Sequence, residues 1–278
     1  MRYQDFTQAR RNIEARFKVA GKWVHTEKWQ GQAIDKRPDM ATFELLMEQF
    51  SINLHGVEDI SRYQADIKPN LPWADDHFLE RVSGAPLNPG TQWANWPWAS
   101  SADKHRHSGG GHFGMFNHTY MERLWPRFAG MAGPLTERSD FTRLSSDKRP
   151  HKGIYAEYGD LSTLVDVLSF EPLSRQAVIP LYFPEDLMVE GRKPCTLLYQ
   201  FIMRDDRLSI YYPLRSCDFI RHWADDCYLA VRLLLWIIDE CRKNNNAVWN
   251  KVKPGFYNMH MTSLHMFAND AIQRGIRK

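Results

Sequence analysis

Hydrophobic residues recur at helical spacing in several parts of the chain. Residues 1–20 form a charged, weakly amphipathic stretch, and residues 41–50 (ATFELLMEQF) combine helical spacing with strong helix formers. Residues 117–128, 161–168 and 218–241 continue the series, with a stop near Pro126 in the first of them. The pattern predicts five helices. Asparagines at 244–246 end the long one, because asparagine terminates helices well.

Four apolar runs instead predict β-strands. Residues 177–183 (AVIPLYF) form a buried run, and residues 196–203 and 208–214 form two runs around Asp205-Asp206, which predicts a hairpin. Residues 256–261 are the last run. Because helices and strands mix without a regular βαβ rhythm, the sequence predicts an α+β fold with one main sheet.

The stretch at 68–108 is rich in Pro, Trp, Gly and Asn, which predicts an ordered loop. Residues 105–112 (HRHSGGGH) predict a flexible surface loop, so His105, His107 and His112 are interpreted as solvated residues instead of metal ligands. No repeat or linker interrupts the chain. We therefore expect one domain over 1–278, with an irregular, insert-rich region at 68–155.

Composition and charge narrow the class of protein. Of 278 residues, 43% are hydrophobic and 25% are charged, which is typical of a globular chain. The net charge of +3 is slight; it suits a small anionic substrate such as a nucleotide and demands no nucleic acid. The N-terminus lacks an apolar signal region, and the apolar stretch at 227–238 is interrupted by Arg232 and too short for a membrane span. We expect a cytoplasmic protein.

The four cysteines show neither a CxxC pair nor zinc-ligand spacing. They are Cys195, Cys217, Cys227 and Cys241. This usage predicts reduced thiols, one of them reactive, and no metal site.

Residues 193–226 (KPCTLLYQFIMRDDRLSIYYPLRSCDFIRHWADD) bring a thiol, a guanidinium and carboxylates into one stretch. A Pro-Cys pair opens one predicted strand, and Arg-Ser-Cys-Asp ends the paired strand. This order places Cys195 and Arg215 near one end of the same sheet. Because a guanidinium beside a thiol favours the nucleophilic thiolate, Cys195 is the candidate nucleophile.

The same segment resembles the catalytic half of the thymidylate synthase family. That family has Pro-Cys-His, a strand beginning near Gln-Phe, then Arg-Ser-x-Asp, and an Asn at the head of a long helix. Here Pro194-Cys195 precedes Thr196, Gln200-Phe201 is in place, and residues 215–218 match Arg-Ser-x-Asp. The intervals fit without a gap and bring Asp226 onto the Asn position. The resemblance implies a thymidylate-synthase-like three-layer fold, with one main mixed sheet flanked by helices.

Weaker likenesses lie on either side of this segment. Ser174-Arg175 resembles the family's Ser-Arg-Arg, whose arginines reach across a homodimer to the partner's nucleotide phosphate. Residues 258–265 (NMHMTSLH) resemble Gly-Asp-x-His-x-Tyr-x-Asn-His, with His260 kept and Thr262 at the Tyr position. Glu44 resembles the Glu of His-Glu-Leu-Leu. Within 68–155, NHTYMERLW is similar to Tyr-Gly-x-x-Trp-Arg, and PWADDHF is similar to the folate-facing tryptophan region.

Two departures point from a synthase to a cytidylate hydroxymethylase of the same superfamily. A neutral carboxyl at Asp226 donates to cytosine N3 and accepts from the 4-amino group, and an ionised one pairs with N3-protonated cytosine. Against uracil O4 it would set acceptor against acceptor, at a cost of about 1–3 kcal/mol. Asp225 stands beside it, and a shift of one residue would exchange their roles.

The second departure is the end of the chain at Lys278, thirteen residues after His265. Without the family's closing tail we expect water to enter the site.

The implied reaction converts dCMP to 5-hydroxymethyl-dCMP with 5,10-methylenetetrahydrofolate and water. The Cys195 thiolate adds to C6, C5 takes the methylene carbon, and tetrahydrofolate leaves. Water then adds to the exocyclic methylene, and Cys195 departs. In the roles that the resemblance assigns, Cys195 is the nucleophile, Glu44 positions water, and Asp226 reads the base and acts as an acid; Arg215, Ser216, Arg175, His260 and Gln200 contact the nucleotide, and Asp218 and Trp73 contact the folate.

Several alternatives stay open. One of Trp73, Trp93, Trp96 and Trp98 is expected to stack on folate, with Trp73 preferred. The substrate could instead be CMP or dUMP, and the reaction could be the methylation of dUMP. An inactive nucleotide-binding module on the same fold is the alternative from another class. Cytidylate hydroxymethylation resembles DNA modification by bacteriophages, which would place the enzyme in a host cytoplasm, and also resembles steps in nucleoside antibiotic pathways.

Overall fold

The computed structural model of the protein describes residues 1–29, 32–97, 116, 118–126, 159–187 and 192–276. The predicted surface loop at 105–112 lies outside these residues, as do its three histidines and Trp98.

Strands and helices alternate irregularly along the described chain. The strands are β1 (Arg2–Tyr3), β2 (Lys22–Val24), β3 (Lys28–Trp29), β4 (Gln32–Ala33), β5 (Thr42–Asn53), β6 (Val178–Pro180), β7 (Leu198–Arg204), β8 (Arg207–Asp218) and β9 (Lys253–Phe267). The α-helices are α1 (Phe6–Ala20), α2 (Ile60–Ile67), α3 (Trp73–Arg81), α4 (Tyr120–Leu124), α5 (Leu161–Phe170), α6 (Trp223–Asn244), α7 (Asn246–Trp249) and α8 (Ala268–Gln273). Short 3₁₀ helices occupy Pro38–Met40, Thr91–Asn95 and Pro184–Leu187.

Seven of the strands form one mixed sheet in the order β1-β5-β9-β8-β7-β6, and β2 pairs with the first part of β5. The β8–β9 and β1–β5 pairs are parallel, and the other pairs are antiparallel. Strands β3 and β4 form a separate hairpin. The predicted α+β class with one main sheet flanked by helices is confirmed.

A kink crosses the middle of the sheet. In β5 the exposed pair Leu46 and Met47 interrupts the alternation of buried and exposed side chains, and Met47 has a φ of 55°. Leu46 is aligned with Ser263 in β9, which is aligned with Ser216 in β8, and the alternation slips at this level in all three strands. Since such a slip turns the following side chains to the other face, it sets where Arg215 and Ser216 point.

Helices α1 and α6 cover the core face of the sheet. Cys227 of α6 lies 3.7 Å from the sulfur of Met259 in β9, and Phe6 of α1 packs edge-on against Tyr257 at 5.1 Å. Helix α1 forms here because Asp5 caps it by accepting from the Gln8 amide, and apolar residues at intervals of three and four line its inner side. These packed side chains hold the ends of β7 and β8, which carry the candidate chemistry.

Most predicted elements around the candidate site are confirmed. The helices predicted at 1–20, 117–128, 161–168 and 218–241 correspond to α1, α4, α5 and α6. The hairpin of β7 and β8 turns at Asp205 and Asp206, which both have positive φ angles, as a tight two-residue turn requires. Helix α6 begins at Trp223 instead of 218, because Asp218 accepts from the Ile220 and Arg221 amides and forms a turn before it.

The prediction of a helix over 41–50 is wrong, because this segment is strand β5. Phe43, Leu45, Phe50 and Ile52 are buried at alternate positions, and the kink near Met47 adds one longer interval that resembles helical spacing. Strand β5 pairs with β9 along its length and with β1 and β2 on its other side. Pairing and burial therefore outweigh the helix propensity of Leu, Glu, Met and Gln.

The prediction of loop throughout 68–108 is also wrong in part. Helix α3 begins directly after Pro72, where a missing backbone N–H is tolerated, and Asp75 and Asp76 complement the positive end of the helix dipole. A 3₁₀ turn follows at Thr91–Asn95. Within the described residues, no helix has the length and apolar character needed to cross a membrane.

Candidate active site

The nucleophile candidate lies in a short loop before β7 that is held from two sides. The backbone amides of Cys195 and Thr196 both donate to the Tyr120 hydroxyl, at 3.3 and 3.2 Å. The Arg215 amide in β8 donates to the Cys195 carbonyl at 2.9 Å. The side chain of Cys195 is partly accessible, whereas those of Cys217, Cys227 and Cys241 are buried. The structure therefore leaves Cys195 as the thiol that a substrate can reach.

The Arg215 guanidinium braces the same loop. Its Nε donates to the Pro194 carbonyl at 2.8 Å, and Nη2 donates to the Lys193 carbonyl at 2.9 Å. Nη2 also lies 3.9 Å from the Cys195 Sγ. A fixed positive charge at this distance stabilises a thiolate, and it remains exposed enough to meet an anion.

Tyrosine and threonine hydroxyls form a polar wall beside the thiol. Thr196 Oγ1 and Tyr212 Oη are 3.1 Å apart, and the Tyr199 and Tyr212 rings are 4.7 Å apart. Burial raises the pKa of Tyr120, and burial also raises the pKa of Tyr212 well above its usual value. These hydroxyls are therefore neutral hydrogen-bonding groups. Tyr120 lies in NHTYMERLW, the segment that is similar to Tyr-Gly-x-x-Trp-Arg, but its contact with the Cys195 loop was not predicted from the sequence.

Asp226 faces this wall from the first turn of α6. Its Oδ2 accepts a weak hydrogen bond from Cys217 Sγ at 3.6 Å. Burial raises the pKa of Asp226 to about 7; Arg81 opposes this rise and Asp225 adds to it. The side chain keeps partial access to solvent. Near neutral pH this carboxyl therefore exists in both its neutral and ionised forms.

The neighbouring Asp225 is engaged elsewhere. Its two carboxylate oxygens accept from the backbone amide and the side-chain amide of Asn70, both at 2.8 Å. Asp225 is only 2% exposed, and burial raises its pKa. Because both oxygens are used by Asn70, Asp226 is the carboxyl of the pair that is available to a ligand.

Asp218 and two stacked aromatic pairs lie near the N-terminal end of α6. Burial raises the pKa of Asp218 to about 6. Trp96 stacks on His222, one turn after Asp218, with ring centres 4.8 Å apart. Trp73 instead stacks on His77 at 4.9 Å and donates from Nε1 to the Gln92 carbonyl. Trp96 therefore lies closer to the Asp218 turn than Trp73, the tryptophan predicted to stack on folate.

The structure does not bring Glu44 to the thiol. Glu44 lies opposite His265 in the sheet, and its carboxylate accepts from the Ser263 hydroxyl. Cys195 belongs to the loop beyond β8, so about three strand spacings, or roughly 14 Å, separate the two backbones. The segment 41–50 that contains Glu44 is strand β5, and its pairing with β9 holds Glu44 at this distance from the Cys195 loop.

The remaining predicted residues occupy separate places. Ser216 Oγ is 3.4 Å from His265 Nδ1, close to the kink. Gln200 Nε2 donates to the Arg175 carbonyl at 3.2 Å, and five residues of extended chain, roughly 16 Å, separate Gln200 from Cys195. His260 is half-buried in β9, between Gln49 and Pro213 of the neighbouring strands. Of the predicted set, Arg215 contacts Cys195 directly, and Asp226 and Cys195 both add to the rise that burial, the larger cause, produces in the pKa of Tyr120.

Within the residues that the structure describes, no group of three His, Cys, Asp or Glu side chains could hold a metal ion. The chemistry that the described geometry supports is that of a thiol nucleophile, a guanidinium, neutral hydroxyls and one carboxyl that titrates near neutrality.

Comparisons with known proteins identify the family and the fold. The family model described as thymidylate synthase matches residues 88–271, about two thirds of the chain. A thymidylate synthase of Sphingopyxis alaskensis is 28% identical over 118 residues, which make up 42% of this chain and 33% of that protein. The match thus spans about one third of the length of this curated relative. The solved structure of thermostable thymidylate synthase A from Bacillus subtilis covers 98% of this chain and 84% of its own, with a TM-score of 0.62 at 15% identity. That likeness shows the shared fold.

Proposed function

The chain belongs to the thymidylate synthase family, and from this premise we propose that it hydroxymethylates C5 of a cytosine nucleotide, with dCMP as the substrate. 5,10-Methylenetetrahydrofolate and water are the co-substrates. The observation that carries the proposal is the carboxyl of Asp226 facing the wall beside Cys195, while Asp225 is tied to Asn70. A protonated carboxyl donates to cytosine N3 and accepts from its amino group, whereas the ionised carboxylate would face uracil O4 acceptor to acceptor.

Cys195 and Arg215 perform the first step of the proposed reaction. The thiolate, stabilised by the guanidinium 3.9 Å away, forms a bond to C6 of the pyrimidine. The electron pair of the C5–C6 double bond moves toward C5 and the ring. Asp226 holds the ring at N3 and the amino group, and its proton stabilises the charge that develops there.

The second half of the reaction depends on water. After the one-carbon unit has been attached and the C5 proton lost, water adds to the exocyclic methylene and the Cys195–C6 bond breaks. The Tyr120 and Thr196 hydroxyls line the loop of Cys195 and offer neutral hydrogen-bonding groups for that water. The products are the 5-hydroxymethyl nucleotide and tetrahydrofolate, so no dihydrofolate forms.

The residues near α6 fit a folate. A carboxylate, Asp218, next to the stacked pair Trp96 and His222 suits a flat ring that carries hydrogen-bond donors. When bound, the folate supplies the one-carbon unit, and Asp218 and Trp96 orient it. We assign the nucleotide phosphate to Arg215 and Ser216, with Arg175 of a partner subunit as a third contact.

The testing experiment is tritium release from C5-labelled dCMP, CMP and dUMP with methylenetetrahydrofolate, followed by identification of the product and measurement of dihydrofolate. We expect a hydroxymethyl product from dCMP and none with Cys195→Ser. Cys241→Ser is the matched control, because it removes a buried thiol of α6 that lies against the Val165 carbonyl. Release of tritium from none of the three nucleotides would instead indicate a nucleotide-binding module.

The second candidate is methylation of dUMP, which the names of the related proteins favour. The same assay separates the two reactions, because methylation consumes the folate as reductant and yields one dihydrofolate per product. Turnover of dUMP with dihydrofolate formation, and no turnover of dCMP or CMP, would overturn the role proposed for Asp226. If CMP is turned over faster than dCMP, the assignment of cytosine as the base stays, and the sugar of the substrate is ribose instead of deoxyribose.

A further inference from the structure

A buried thiol in β8 contacts the carboxyl that is proposed to read the base. Cys217 is 2% exposed, and its Sγ lies 3.6 Å from Asp226 Oδ2. Burial raises the pKa of this thiol well above its usual value, and the nearby Asp226 adds to the rise, so the sulfur keeps its proton. Cys217 takes no part in the proposed reaction, because Cys195 supplies the nucleophile. Its proton is therefore available to Asp226.

Two acceptors lie within reach of the Cys217 thiol in the described part of the chain. Besides Asp226 Oδ2, the Asp218 carbonyl lies 3.8 Å from Cys217 Sγ. That carbonyl already accepts from the His222 amide at 3.0 Å, so Asp226 Oδ2 is both the nearer and the less occupied of the two. Because a thiol sulfur is only a weak acceptor, the contact is best made with the S–H proton directed to Oδ2.

The other hydrogen-bonding neighbour of Asp226 adapts to either position of its proton. Burial raises the pKa of Asp226, and the Tyr212 hydroxyl opposes that rise through a hydrogen bond. Tyr212 Oη also lies 3.1 Å from Thr196 Oγ1. Since a hydroxyl can donate and accept, Tyr212 fits a carboxyl with its proton on either oxygen. Cys217, in contrast, favours one of the two positions.

The position of this proton decides which base a neutral carboxyl matches. Cytosine needs a donor opposite N3 and an acceptor opposite its amino group, whereas uracil needs the reverse order. A neutral carboxyl offers one hydroxyl and one carbonyl oxygen, and it would match either base if the proton moved between them. The ionised carboxylate already excludes uracil, because it would face O4 acceptor to acceptor. The neutral form therefore discriminates only if a neighbouring group fixes its order.

We infer that Cys217 is a positioning residue for base recognition, because its thiol donates to Asp226 Oδ2 and keeps the proton of the neutral carboxyl on Oδ1. The inference rests on the proposed function, in which Asp226 pairs with the base. With this order, Oδ1 donates to cytosine N3, and Oδ2 uses its second lone pair to accept from the amino group. Uracil would meet both oxygens in the wrong order, with its own donor and acceptor left unpaired.

The first test observes the thiol in the ligand-free protein by infrared spectroscopy. The S–H stretching band that is lost in Cys217→Ala belongs to Cys217. We expect Asp226→Ala to move this band to higher frequency, because the hydrogen bond that weakens the S–H bond is removed. The band that is lost in Cys227→Ala is the internal control and should stay in place, since Cys227 Sγ lies 3.7 Å from Met259 Sδ. A Cys217 band that does not respond to Asp226→Ala would overturn the inference.

The second test measures the preference for the base, with both nucleotides in competition in the tritium-release assay. We expect Cys217→Ala and Cys217→Val to lower the ratio of kcat/KM for dCMP to that for dUMP at least about threefold. Cys217→Ser should keep the ratio, because serine retains a donor. A merely structural defect would lower kcat/KM for both nucleotides and leave the ratio unchanged. Cys227→Ala is again the matched control, because it removes a buried thiol one residue after Asp226.

An unchanged ratio in both Cys217→Ala and Cys217→Val would overturn the inference, as would an equal fall in Cys217→Ser or in Cys227→Ala. If the wild type turns over no cytosine nucleotide, the proposed function fails, and the infrared result still decides whether Cys217 donates to Asp226. The affinities of Cys195→Ser for dCMP and dUMP, measured by calorimetry with and without Cys217→Ala, then replace the ratio of kcat/KM.

Discussion

At the scale of single residues, we propose that the carboxyl of Asp226 determines which base the site accepts. Asp226→Asn replaces a group that presents two oxygens with one that offers a donor and an acceptor, so the clash with uracil O4 is removed. We expect the ratio of kcat/KM for dCMP to that for dUMP to fall at least about tenfold, in line with about 1–3 kcal/mol for a mismatched polar pair. Competition between the two nucleotides in the tritium-release assay measures this ratio.

Asp225→Asn provides the control for this prediction. It changes the same chemical group one residue away, but it disturbs the two hydrogen bonds from Asn70. Its expected effect is a lower free energy of unfolding by about 1–3 kcal/mol, with the base preference kept. If Asp225→Asn altered the preference and Asp226→Asn did not, the two carboxyls would have to exchange roles.

Much of the residue-level site could be predicted from the sequence, because Cys195, Arg215 and Asp226 belong to one continuous stretch with characteristic intervals. The choice between Asp225 and Asp226 required coordinates, since only the position of Asn70, 155 residues away in sequence, distinguishes them. Tyr120 comes from a distant segment, 75 residues before Cys195 in sequence, and its contact with the Cys195 amide therefore required coordinates.

At the scale of elements, β5 shows how a strand can imitate a helix. Its buried positions recur at every second residue on either side of the kink and at an interval of three positions across it, and its sequence is rich in helix formers. A single-sequence pattern contains no information about β9, which lies near the other end of the chain and supplies most of the backbone pairing of β5. The hairpin of β7 and β8 was predictable because its turn signal, Asp205-Asp206, is local.

The kink in β5 leads to a stability prediction. Met47 has a φ of 55°, a conformation that β-branched residues rarely adopt, and its side chain is 64% exposed. Met47→Val should therefore lower the free energy of unfolding by about 1–2 kcal/mol through backbone strain. Chemical denaturation measures the difference.

Leu46→Val is the matched control for Met47→Val. Leu46 is equally exposed at 64%, but it is not among the residues with positive φ. Its replacement should change the free energy of unfolding by no more than about 0.5 kcal/mol. Equal losses in the two variants would mean that the conformation of Met47 in the kink is not the cause.

At the scale of the whole molecule, the face of the sheet opposite α6 carries exposed apolar side chains. Tyr211 in β8, Phe256 in β9 and Val178 in β6 are each about 40% exposed, and Phe170 and Leu173 near Arg175 are exposed further. Several exposed apolar side chains on one face of a sheet are typical of protein–protein contacts. The Arg175 carbonyl accepts from Gln200, which is separated from its own Cys195 by roughly 16 Å of extended chain, so we propose that Arg175 serves the site of a second copy.

The proposed homodimer predicts that two inactive variants restore each other. Cys195→Ser lacks the nucleophile but keeps Arg175, and Arg175→Ala lacks the phosphate contact but keeps Cys195. After joint unfolding and refolding in equal amounts, half of the dimers are mixed, and each mixed dimer contains one site with both residues intact. The expected activity is about one quarter of the wild-type value per total protein. Refolding each variant alone is the control, and sedimentation confirms that both form dimers. If the refolded variants form dimers but recover no activity, Arg175 acts in the site of its own subunit or has no role in catalysis. If the variants are monomeric, the proposed interface does not exist.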